Sequence, residues 1–129
     1  MKKILVSWIG GNDLQALPSH PNHHYGAGPL LSTLKAKNFT HIYLLYNYSE
    51  EDVKPYLDWL KAQVDFEINA KFIKLSSPID FADIYQAAST TLNEVCHSDT
   101  EGTISILLSP GTPAMQAVWI LLGKTRYPV

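Results

Sequence analysis

The residues best suited to chemistry in this chain are Ser109-Pro110-Gly111-Thr112-Pro113. Pro110 and Pro113 carry no N–H, Gly111 reaches positive φ freely, and Pro113 suits the first position of a helix. The amides that remain, with the hydroxyls of Ser109 and Thr112, are free to converge on an anion at a helix N-terminus. An apolar, β-branched run at 103–108 leads into this turn, and an apolar helical pattern starts after it at Ala114-Met115-Gln116. The turn therefore joins a buried strand to a helix, where α/β proteins bind phosphates and nucleotides. A plain proline-rich βα turn is the alternative.

A second unusual turn, Gly10-Gly11-Asn12-Asp13, follows Trp8 and Ile9. The Asn12 amide both donates and accepts, which suits a ribose or a base edge. Asp13 would repel phosphate and reads as a turn former. Trp8, Tyr46 and Tyr48 stand at strand ends, where a ring can stack on a base or serve as core or rim. His20, His23 and His24 invite a metal, but no second Cys/His cluster completes a zinc set, so they read as a solvated loop. Ser7, Ser109 and Thr112 lack a nucleophile elbow and an assignable base, so their hydroxyls are read as donors to phosphate or ribose. Neither G-x-x-x-x-G-K-[ST] nor a well-placed G-x-G-x-x-G is present, and Gly26-Ala27-Gly28 lies far from the first strand. That argues against kinase-like ATP hydrolysis and dinucleotide oxidoreduction. Lys124 and Arg126 suit a solvated helix C-terminus.

These loops need a scaffold. Lys3–Trp8 reads as a first strand, followed by a long polar loop through Pro18, His20 and Pro21 to Gly28. A helix is expected over 29–37 and a second strand over His41–Tyr46, stopped by Asn47-Tyr48-Ser49. Ser49 caps a helix with Glu50, Glu51 and Asp52 in its first turn. Val53, Tyr56, Leu57, Leu60 and Val64 give it an apolar stripe, and Pro55 should kink it or shift its start. A third strand is expected over 70–75. Asp80 then caps a helix running to about Cys96. Alternating strands and helices predict a Rossmann-like three-layer sandwich with a mostly parallel sheet, ordered 3-2-1-4. The two unusual loops then meet at the switch-point crevice. A fifth strand could begin at Tyr127-Pro128-Val129.

The 129 residues suit one domain, with 46% hydrophobic and 17% charged residues placing it among globular chains. A formal charge of −2 argues against duplex-DNA or RNA binding by this domain. Cys96 is the only cysteine, which suits a reducing cytoplasm. The N-terminal apolar run is too short for a signal peptide, and no run reaches the roughly 18 residues of a membrane span. Helix 114–122 is apolar on nearly all faces and so should be covered on both sides. This points to a module of a longer polypeptide, a tight dimer, or both; a greasy helix against its own sheet is the plain alternative.

A Rossmann-like domain with a polar loop after strand one and a turn of the form [S/T]-x-G-T-x-x-M after strand four resembles the CARF domain, the CRISPR-associated Rossmann fold. Here the turn reads Ser109-Pro110-Gly111-Thr112-Pro113-Ala114-Met115. The resemblance spans the chain in element order, and its specific part is confined to the two loops. It implies a homodimer that binds cyclic oligoadenylate across the two-fold axis and controls a fused effector, with no cofactor or metal. A related branch forms the sensory N-terminus of sigma-54-dependent activators such as the RNA-repair operon regulator. The implied ligand contacts are Trp8, Ile9, Gly10, Gly11 and Asn12 on the first loop and Asn47 after the second strand. On the last loop they are Ser109, Pro110, Gly111 and Thr112, with Met115 and Gln116 beyond. Many CARF turns carry a basic residue where this chain has Pro113, so backbone amides and hydroxyls must do more here. Two other readings stay open: a ring nuclease or other phosphodiesterase in the same pocket, and a ligand-free oligomerisation module.

Overall fold

The computed structural model describes residues 2–18, 28–98, 102–108 and 110–125. The order is β1 (Lys3–Trp8), α1 (Gly11–Gln15), α2 (Gly28–Ala36), β2 (His41–Tyr46), α3 (Glu50–Gln63), β3 (Ile68–Phe72), α4 (Phe81–Ser98), β4 (Thr103–Ile106) and α5 (Pro113–Thr125). The four strands form one parallel sheet in the order β3-β2-β1-β4, as the alternation of elements predicts.

Side chains of a strand alternate between faces, so a parallel sheet covered on both sides needs apolar residues at every position. β1 meets that demand except at Lys3, exposed at its start, and at Ser7, which is fully buried and donates its hydroxyl to the Trp8 carbonyl at 2.8 Å. Ile4, Val6 and Trp8 pack with α4 and α5, while Leu5 and Ile9 pack with α1, α2 and α3. In β2, Leu45 joins the first layer, and Ile42, Leu44 and Tyr46 join the second. The sheet is thus sandwiched between two helical layers, with a core on each face.

Several local expectations change. The chain does not run as loop from Gly10 onward but turns at once into α1, because the Asp13 carboxylate takes the Gly10 amide at 2.9 Å. Pro55 sits inside α3 without moving its start, since Ser49 still caps the helix and the Asp52 amide donates to its hydroxyl. β3 lies at 68–72 rather than 70–75, with residues 69–72 on an exposed sheet edge. α5 extends to Thr125 and buries only one face, through Met115, Val118, Trp119 and Leu122; Ile120 and Leu121 remain 47% and 42% exposed. The expected fifth strand, the three histidines of the polar loop, Ser109 and Arg126 lie outside the described residues. No helix among the described residues is long and apolar enough to cross a membrane.

Candidate ligand-binding site

β1 and β4 are hydrogen-bonded neighbours, with Val6 opposite Ile106, so their carboxyl-terminal loops leave the sheet side by side. Gly10 and Gly111 are where those loops touch. A Cβ placed on Gly10 would lie 2.7 Å from the Gly111 nitrogen and 3.3 Å from the Pro110 Cα. Only a residue without a side chain allows main chain to approach main chain so closely. Gly111 has φ +94°, and a Cβ there would meet the Met115 sulfur at 2.6 Å. The sequence reading placed these two loops in one crevice, and the structure brings them together.

Thr112 is the N-cap of α5. Its carbonyl accepts the Gln116 amide at 3.1 Å, and its hydroxyl accepts the Met115 amide at 3.3 Å. That hydroxyl also donates to the Pro78 carbonyl at 2.8 Å, tying α5 to the turn after β3. The Thr112 proton is therefore committed within the protein, which differs from its reading as a donor to phosphate. The Thr112 amide points at the Met115 sulfur, 3.4 Å away.

Trp8 does not face a ligand. It is fully buried in the core against α4 and α5, and its indole N–H has no partner among the described residues. A ring closed in on both faces by the packed core cannot stack on a base, so that expectation is corrected. Ile9 is buried in the opposite layer and donates its amide to the Leu45 carbonyl at 2.8 Å. Asn47 uses its side-chain amide to clip the Ile73 carbonyl at 2.8 Å, joining the ends of β2 and β3. Met115 is buried beneath the turn, and Gln116 is half-buried one position on. Tyr48 is 41% exposed, and its hydroxyl stands 3.3 Å from where a Gly11 Cβ would be.

What remains open to solvent is largely backbone. Among the described residues, the amides of Gly11, Asn12, Gly111 and Ala114 have no hydrogen-bond acceptor, and Asn12 and Gly111 are exposed. Residues 9–17, 47–49 and 110–116 contain one formally charged side chain, Asp13, and it is fully buried. Its Oδ2 accepts from Gly10 and its Oδ1 accepts from Leu30, both at 2.9 Å. Burial pushes this carboxyl up to about 6, against the pull of the two amides. Sequence reasoning took Asp13 for a turn former; its second hydrogen-bond partner, Leu30, is 17 residues away. An arrangement of free amides, small residues and neutral polar groups can bind an anion by dipoles rather than by cations.

No protein-family profile matches this sequence, and no curated protein matches it. Solved structures do match its fold. Enterococcus italicus Csm6 bound to cyclic hexa-2'-fluoro-hexa-dAMP superposes with a TM-score of 0.77 at 17% identity, over 98% of this chain and 31% of that one. Can2 from Sulfobacillus thermosulfidooxidans in complex with cyclic tetra-adenylate gives 0.64 at 14% identity, over 95% and 29%. A type III CRISPR defence DNA nuclease activated by cyclic oligoadenylate gives 0.59 at 16% identity, over 94% and 17%. These neighbours are CARF-domain proteins, and the fold of this chain is the Rossmann-like fold of that type. The chain spans less than a third of the length of each.

Proposed function

We propose that this chain is a ligand-sensing regulatory domain that binds a cyclic oligoadenylate at a homodimer interface and controls a fused effector or transcription-activation domain. The observation that carries this reading is the backbone contact of Gly10 with Gly111 at the carboxyl ends of β1 and β4. That contact makes one crevice of two loops that both offer amides without an acceptor among the described residues. The neighbours with the same fold bind or are activated by cyclic oligoadenylates, a polyanionic ring that such amides would suit. A two-fold partner would cover the exposed face of α5 and set two copies of the turn near the axis, matching a symmetric ring.

Calorimetric titration of the chain with cyclic tetra-adenylate and cyclic hexa-adenylate tests the binding reading. Saturable binding of either ring, with the ring recovered intact, supports a sensor. Recovery of linear products would make the domain a ring nuclease, and heats no larger than dilution for both rings would reject the ligand.

A further inference from the structure

We propose that Asp13 is the positioning residue of the candidate ligand site: its buried carboxylate fixes the Gly10 loop against Gly111 and ties that loop to the start of α2. This rests on the ligand-binding reading above for its functional consequence and on geometry alone for its structural one.

Asp13 is the one charged side chain among the described residues that is fully buried. A lone carboxylate in such a place is unfavourable unless hydrogen bonds replace its water. Here both oxygens are used, and the two donors come from different elements. Oδ2 holds the Gly10 amide, whose residue is in backbone contact with Gly111. Oδ1 holds the Leu30 amide in the first turn of α2. Gly28, with φ +75°, lets α2 start flush on α1: a Cβ there would lie 3.1 Å from the Asn12 carbonyl oxygen and 3.3 Å from the Asp13 Cα. The contacts run unbroken from α2 through Asp13 and Gly10 to Gly111, and then to Met115 in α5. They link the helical layers on opposite faces of the sheet through the point where the two loops meet.

Among the described residues, the surroundings of Asp13 contain little that could replace it. The first turns of α2, residues 28–34, carry no charge. α3 turns Val53, Tyr56 and Leu60 inward, while Glu50, Glu51, Asp52, Lys54, Asp58 and Lys61 are exposed. Among the described residues, Tyr56 is the titratable group that feels the Asp13 charge, and its buried hydroxyl has no partner there. An asparagine at position 13 would keep one acceptor oxygen but turn an NH2 toward the other backbone amide, so it cannot hold both donors.

Two measurements on the chain test this. In a nitrogen–proton NMR titration without ligand, the Gly10, Leu30 and Gly111 amides should move with one shared midpoint near the Asp13 ionisation, about 6. A Gly111 amide that stays still while Gly10 and Leu30 move would overturn the tie between the loops, whatever the ligand. For binding, Asp13→Asn should weaken cyclic oligoadenylate affinity at least tenfold, whereas Leu60→Ala, a core change in the same layer, should lower the melting temperature and leave affinity within twofold. Wild-type affinity in Asp13→Asn would overturn the positioning role. If the wild-type chain binds neither ring, the ligand reading falls, and the Gly111 resonance alone decides whether Asp13 sets the loop.

Discussion

The Thr112 hydroxyl donates to the Pro78 carbonyl across 34 residues, at 2.8 Å, while accepting the Met115 amide. One side chain therefore caps α5 and anchors it to the turn between β3 and α4. Thr112→Ala should lose about 1–2 kcal/mol of stability, the usual loss for an N-cap. Thr112→Ser keeps both bonds and should stay close to wild type. Urea denaturation of the two variants separates them; equal midpoints would mean that the tether contributes nothing.

The glycine contact gives a steric prediction. Gly10→Ala puts a methyl 2.7 Å from a backbone nitrogen, which cannot rotate away. It should cost about 1–3 kcal/mol as overpacking and abolish ligand binding by parting the loops. Gly111→Ala meets the flexible Met115 side chain instead, so Met115→Ala should relieve the clash and leave the strain at φ +94°. The double variant should be more stable than the sum of the single losses implies, by about 0.5–3 kcal/mol. Strict additivity in a double-mutant cycle would show that the sulfur gives way without resistance.

Asp13 also makes stability depend on pH. Its carboxyl ionises at about 6 in the folded chain against an ordinary value of 3.8. Between those values the folded chain retains a proton that the unfolded chain has released. Its contribution is therefore fully present below the lower value and is lost as pH rises through the upper one. The total change is of the order of 3 kcal/mol. Stability curves of wild type and Asp13→Asn, compared from about pH 4 to about pH 7, should diverge in this sense; parallel curves would contradict the burial of an ionisable group.

Tyr56→Phe removes a buried hydroxyl that has no acceptor among the described residues and lies within the field of Asp13. Leaving such a group unmade is unfavourable, so the phenylalanine should stabilise the fold by about 1–2 kcal/mol. Chemical denaturation at neutral pH reads this directly. A destabilised variant would show that the hydroxyl is satisfied in solution.

Ile120 stands 47% exposed on the uncovered face of α5. If a second copy covers this face, Ile120→Lys should convert a dimer to a monomer in light scattering at micromolar concentration. A wild-type monomer, with or without ligand, would remove the symmetric binding mode.

The sequence made β1, β2 and the meeting of the two loops legible because strand burial and the switch-point rule act on patterns within a few residues and on topology. β3 was misplaced for a physical reason. As an edge strand it exposes residues 69–72, so the apolar Ile73 and Leu75 drew the expectation onward. α1 was hidden because Gly-Gly-Asn-Asp has the composition of a turn, and its helix depends on one carboxylate closing on Gly10. The roles of Asp13 and Thr112 were illegible because their partners, Leu30 and Pro78, are distant in the chain. Trp8 shows the opposite limit: its place at a strand end was right, but which face the ring takes follows from strand parity and the layer packed on it.

Most contacts between loops run through side chains, which absorb a push by changing rotamer. Gly10 and Gly111 have nothing of the kind between them, since peptide lies directly on peptide. Such a joint is stiff. Pressure on either loop has no soft torsion to dissipate it and must reappear as displacement of the other. A group wedged into the crevice would shift α1 and α5 as a pair, and the mechanical output would leave the domain through whichever helix has the freer outer surface, which here is α5.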